Sequence, residues 1–151
     1  MTEIAFHVNA PDKLDYACRL LRATQKKSAQ VLVLGQMDAL KSLSSKLWAL
    51  SATEFLPHCL ADASAEVLAH SPVVFIEDVG AQMPASAVES QVLLNLGAAL
   101  PAGFERFERL LEIVGQNEAD LQAARTRWKH YKDRGYALSR YDVVSKAQTA
   151  H

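Results

Sequence analysis

The chain has 151 residues, 50% of them hydrophobic and 22% charged, with a formal net charge of −1. That length and apolar content suit one domain with its own core and leave too little chain for two domains of ordinary size. No run approaches the roughly 18 apolar residues of a membrane helix, and the start "MTEIAFHVNAPDKL" lacks the basic and apolar regions of a secretory signal. With only Cys18 and Cys59 there is no disulfide framework, so a soluble cytoplasmic protein with free thiols is expected.

"EIAFHV" (Glu3 to Val8) is a short run of strand formers, and "NAPD" after it offers a helix-starting Pro11. In "PDKLDYACRLLRATQKK", Leu14, Ala17, Cys18 and Leu21 recur at three- and four-residue spacing, which predicts a helix with one apolar face. "QVLVLG" (Gln30 to Gly35) is almost wholly apolar, as in a strand covered on both sides, and "QMDALKSLSSKLWAL" again has helical spacing. "PVVFIE" (Pro72 to Glu77), "QVLLNLG" (Gln91 to Gly97) and "RLLEIVG" (Arg109 to Gly115) add three candidate strands. "NEADLQAARTRWKHYKDRG" is a terminal helix that Asn117 can cap and Gly135 can end in the left-handed conformation. This alternation predicts an α/β class fold: a Rossmann-like, open, mostly parallel sheet with helices on both faces. Residues 1–140 are expected to form the single domain, and residues 141–151 a C-terminal tail with partial mobility.

Such folds commonly hold nucleotides where helix N-termini meet the carboxyl ends of strands. Here the turn after the second strand, "VLGQMDALKS", has one glycine, Gly35. A dinucleotide fingerprint needs three, and a phosphate loop needs a second Gly followed by Lys and Ser or Thr. Gly35 is read as easing a turn. His58 and Cys59 are adjacent on an extended chain and point to opposite faces, a poor geometry for an activated thiol; Cys18 reads as a small core residue. His7, His70, His130 and His151 are scattered without metal-site spacing, so no metal is expected, and Glu77 with Asp78 reads as a loop entry.

The informative stretch is "RTRWKHYKDRGYAL", Arg125 to Leu138. Residues 121–140 carry six Arg and Lys against one acid, which leaves the remainder of the chain at −6. Wound at 100° per residue, Arg125, Lys129 and Lys132 fall within about 60° of one another as a cationic stripe. Leu121, Ala124 and Tyr131 form an adjoining apolar arc, with Trp128 at the border. Arg127, His130 and Arg134 lie round the other side, where a solvated helix face is the simple reading. The stripe itself has three readings: a solvated face, a phosphate-binding surface for single-stranded DNA, or a pocket for a peptide bearing carboxylates and one large apolar residue.

These segments, with "LWAL", "EFLPHCLAD" (Glu54 to Asp62) and "FERLLEIV", resemble the chi subunit family of bacterial DNA polymerase III, through most of the chain. The resemblance implies a clamp-loader accessory protein without catalytic activity or cofactor, which agrees with the missing phosphate loops. It implies two partners: the acidic C-terminal tail of single-stranded-DNA-binding protein, ending in a Phe carboxylate, and the psi subunit of the clamp loader. DNA is then contacted only indirectly. The family's tail-binding pocket resembles Val114, Arg125, Trp128, Lys129, Lys132, Gly135 and Tyr136 here, and its psi-facing surface resembles Trp48, Phe55 and Pro57. Read from the residues alone, Trp48 and Phe55 serve equally well as core. Where some relatives carry a basic residue one turn before the arginine, this chain has Leu121.

Overall fold

A computed structural model describes residues 2–27, 29–50, 58–60, 73–77, 91–97, 100–101, 103–146 and 148–150. In chain order these form β1 (Glu3–Ala10), α1 (Lys13–Lys26), β2 (Val31–Gly35), α2 (Met37–Leu50), β3 (His58–Leu60), β4 (Val73–Glu77) and β5 (Val92–Asn95). A 3-10 turn at Phe104–Arg106 precedes β6 (Arg109–Gly115), α3 (Glu118–Asp133), β7 (Leu138–Asp142) and β8 (Gln148–Ala150). The eight strands make one open sheet in the order β3-β4-β2-β5-β6-β1-β7-β8. Every neighbouring pair is parallel except β7 with β8.

Alternation along the strands divides the core into two layers. Val31 and Val33 of β2, Val92 and Leu94 of β5, and Leu111 and Ile113 of β6 point to one face. There they meet Ala17, Cys18 and Leu21 of α1 and Leu40, Leu43 and Leu47 of α2. The intervening residues Leu32, Leu34, Leu93, Leu110 and Val114 join Ile4 and Phe6 of β1 on the opposite face, under Ala124 and Tyr131 of α3. Each fully buried large side chain in these layers contributes roughly 1.5–3 kcal/mol. The expected helices on both faces of a mostly parallel sheet are present, and the anticipated apolar face of α1 is the buried one.

Local chemistry fixes the helix ends. Asp12, one residue after Pro11, caps α1 by accepting the Asp15 N–H at 3.1 Å. Asn117 caps α3 through the Asp120 N–H at 2.8 Å. At the far end of α3, Gly135 is left-handed with φ 84°. Its N–H reaches the Lys132 carbonyl, and the Tyr136 N–H reaches that of Tyr131, closing the helix as a Schellman turn. Gly35 ends β2 just before α2, where a Cβ would stand 3.2 Å from that of Leu96, so its bare backbone also permits close packing of chain against chain.

Two strands, β7 and β8, occupy residues at the start of and within the 141–151 tail. β7 continues to Asp142 beside β1, in the register Ile4↔Leu138 to Val8↔Asp142, and β8 turns back on it. Asp142 holds the intervening turn by accepting the N–H groups of Val144 and Ser145. Those bonds, that of Ser145 foremost, hold its carboxyl below the usual range.

On the α1 side of β1, His7 Nδ1 and the Tyr16 hydroxyl share a 2.5 Å hydrogen bond, and Tyr141 of β7 packs on the same imidazole. Burial, helped by the Arg109 charge, lowers the His7 pKa to about 4, and burial raises that of Tyr16 to about 12. The folded state therefore keeps His7 neutral at pH values where the unfolded chain protonates it near 6.5. Stability is fully present above that value and falls as pH drops toward 4. Between pH 7 and pH 5 this residue should remove about 2 kcal/mol from the unfolding free energy. Urea titrations at the two pH values should show that slope in the natural chain and a clearly flatter one in His7→Gln.

Candidate functional site

A carboxylate in the middle of β6 anchors α3 to the sheet. Glu112 is 0% exposed and Arg127 only 2%. Arg127 Nε donates to Glu112 Oε2 at 3.0 Å, and the Tyr131 hydroxyl donates to the same oxygen at 2.7 Å. Asn95 Nδ2 donates to Oε1 at 2.8 Å, while Asn95 Oδ1 accepts the Gly97 N–H at 2.9 Å. Burial pushes the Glu112 carboxyl above its usual range against the pull of Arg127 and the donors, and burial with the neighbouring carboxylate pushes the Tyr131 hydroxyl up. Arg127 is thus no solvated side chain. The reading from helical winding fails because a buried acid across the interface outweighs the preference of a guanidinium for water.

With α3 so anchored, a pocket of about 350 Å³ opens between it and the sheet. The helix side consists of Leu121, Ala124, Arg125 and Trp128; the sheet side consists of Phe6 and Val8 of β1, Val114 of β6 and Arg140 of β7. Phe6 meets Trp128 edge-on at 5.0 Å between ring centroids and lies 5.9 Å from the Tyr131 ring, so the indole is braced from below. Arg125 is largely exposed and pairs with Glu118 only at 4.0 Å, a contact loose enough to release the guanidinium.

Of the seven residues expected at this surface, Val114, Arg125 and Trp128 line the pocket. Lys129 and Lys132 are exposed on α3 and outside the lining, continuing the stripe toward the helix end. Gly135 makes the terminal turn, and Tyr136 packs against Phe104 at 5.3 Å, also outside the lining. Of the apolar arc, Leu121 and Ala124 line the pocket, whereas Tyr131 is wholly buried beneath it. Winding a helix reveals nothing of the sheet below it, so Phe6, Val8 and Arg140 were not foreseen. The signal for the buried network was legible: an acid inside "RLLEIVG" and an amide inside "QVLLNLG" each require a partner.

Trp48 lies near the end of α2, on the opposite face of the sheet from α3, and is 56% exposed. Phe55 and Pro57, with Asp78, His70 and His151, fall outside the described residues. Cys18 is buried, and burial raises its thiol pKa to about 11, which makes it an inert core residue. Among the described residues no three His, Cys, Asp or Glu side chains gather as a metal site. No helix among them is long and apolar enough to cross a membrane. At the carboxyl ends of β1 and β6, where α1 and α3 depart to opposite faces, Asp120 accepts the Gly115 N–H and pairs with Lys13 Nζ at 3.1 Å. The crevice in which doubly wound sheets commonly hold anions thus contains a carboxylate of the protein itself.

The architecture is that of an open α/β domain. It is similar in fold to the C-terminal domain of the DEAD-box protein Dbp5, with a TM-score of 0.63, covering 95% of this chain and 91% of that one at 12% identity. The sequence is more specific. Residues 1–139 match the family described as DNA polymerase III chi subunit, HolC, and the chain belongs to that family. It is 31% identical over 143 residues to the DNA polymerase III subunit chi of Pseudomonas aeruginosa, covering 91% of this chain and 94% of the relative. The corresponding subunit of Haemophilus influenzae is 25% identical over 130 residues, with 85% and 86% covered.

The two neighbouring arginines of α3 should behave oppositely. Arg127→Ala leaves the Glu112 carboxylate buried beside an empty volume and should cost about 3–5 kcal/mol of stability. Arg125→Ala should stay within about 0.5 kcal/mol of the natural chain. Denaturant unfolding monitored by circular dichroism separates the two.

Proposed function

We propose that this chi-family protein works without chemistry of its own, as an adaptor whose α3 pocket takes the acidic C-terminal tail of single-stranded-DNA-binding protein. The observation that carries the reading is the pairing of an apolar cavity, lined by Phe6, Val114, Leu121 and Trp128, with arginines at its boundary. A terminal Phe side chain fits the cavity, and the planar fork of Arg125 suits its carboxylate through two parallel hydrogen bonds. Lys129 and Lys132 offer point charges on flexible stems to the acids that precede it. Trp48, with Phe55 and Pro57, forms the surface for the psi subunit; the exposure of Trp48 favours this over a core role. Since Trp48 and α3 lie on opposite faces of the sheet, both partners can bind at once and the chain links them.

Calorimetric titration with an acidic peptide ending in Phe tests the pocket. Arg125→Ala should lose about 1.5–3 kcal/mol of affinity, the scale of a hydrogen bond to a charged group. Lys129→Ala should lose less and Lys132→Ala least, chiefly at low salt, where exposed charges are poorly screened. Removing the terminal Phe should abolish most binding. Equal small losses for the three cations, with no dependence on that Phe, would make the stripe a solvated face. Tight, salt-sensitive binding of an oligonucleotide would replace the adaptor with a direct DNA binder.

The psi surface is tested separately. Trp48→Ala and Phe55→Ala should each weaken the psi partner, by roughly 2 kcal/mol for a buried interface anchor, while the peptide titration is unchanged. An unfolded Phe55→Ala protein would place that residue in the core.

A further inference from the structure

Arg140 stands at the boundary of the same pocket, but the reading above assigns it no group of the ligand. It is the third residue of β7 and lies in register with Phe6 of β1, the aromatic floor of the cavity. In a parallel pair, residues in register project to the same face. Leu138, in register with Ile4, is buried in the layer beneath α3, whereas Tyr141, in register with His7, contacts that imidazole on the other face. Arg140 therefore rises on the α3 side, at the end of the row Leu138, Arg140 where the core gives way to solvent. It is exposed and forms no ion pair among the described residues. Asp142, two residues along, is held below the usual range foremost by the Ser145 N–H, with a smaller contribution from Arg140, and its carboxylate is engaged by the backbone of the following turn.

The pocket thus has a cation on each side: Arg125 from the helix and Arg140 from the sheet, with Phe6, Leu121 and Trp128 between them. Two guanidinia on opposite sides of an apolar cavity are matched by a ligand with two anionic groups flanking one apolar group, since each cation then has its own carboxylate. Resting on the tail-binding reading, we propose that Arg140 is a specificity-determining residue that takes a side-chain carboxylate of the acidic peptide while Arg125 takes its terminal carboxylate. The sheet then supplies the charge that Leu121 does not offer on the helix.

Three peptides decide the matter: Asp residues ending in a free Phe, the same peptide with every Asp replaced by Asn, and the Asp peptide with its terminus amidated. Each is titrated into the natural chain, Arg140→Ala and Arg125→Ala. Arg140→Ala should weaken the Asp peptide roughly tenfold, with unfolding in urea unchanged because the side chain is exposed. The Asp-to-Asn change should cost Arg140→Ala much less than it costs the natural chain, while amidation costs both the same. Amidation should in turn be nearly without effect on Arg125→Ala. Full affinity in Arg140→Ala, or undiminished sensitivity of that variant to the Asp-to-Asn change, overturns the assignment of Arg140 and leaves the pocket reading intact. Failure of the natural chain to bind the Asp peptide overturns both.

Discussion

Glu112 sits at 0% exposure in an apolar strand, where no water can solvate it, and an isolated buried carboxylate costs several kcal/mol. Its oxygens are satisfied by three side chains from two other elements: Asn95 on β5, and Arg127 and Tyr131 on α3. Apolar packing alone would allow α3 to slide or roll over the sheet at little cost, since Leu and Ala contacts are not directional. The Arg127 and Tyr131 bonds are directional, and being four residues apart they fix one face of the helix downward. Leu121, Ala124, Arg125 and Trp128 are then held beside β1 and its neighbours β6 and β7, and the cavity between them is a consequence of that orientation.

The same orientation separates duties within the domain. The layer beneath α1 and α2 is built mostly of aliphatic side chains, whereas the layer beneath α3 combines several aromatic rings with a polar network. Phe6, Phe104 and Tyr131 support Trp128 and Tyr136 from below, so the aromatic surface of α3 rests on a rigid base. Membership of the chi family makes this a subunit of a replication machine, in which a surface that keeps its shape before binding loses less freedom when a partner arrives.

Much of this fold was legible because its central strands are buried on both faces and its helices are buried on one, which gives each a distinct pattern. "QVLVLG" and "RLLEIVG" needed no context. β7 was not legible: "LSRYD" has an apolar residue only at its start, because its remaining outward positions face the pocket mouth and the edge of the domain. β3 and β8 have three residues each, too short for any periodicity. At the site, helical winding found Arg125, Leu121, Ala124 and Trp128, because a single element carries them. It misassigned Arg127, since the angle around a helix says which way a side chain leaves the axis and nothing about the charge that awaits it. Arg140 and Phe6 were beyond its reach because their relation to α3 exists only through the pairing of β1 with β7.

Those two shortest strands, β3 and β8, are also the outermost of the sheet. An edge strand exposes unpaired amide and carbonyl groups that can template another chain, and the hazard grows with the length of the exposed ladder. The long, strongly apolar strands β2, β5 and β6 occupy the interior of the order, and β8 runs against the direction of its neighbour, interrupting the parallel series. A subunit of a larger assembly gains by not joining copies of itself, and among the described residues the outermost strands offer ladders of three residues each at which such growth could begin.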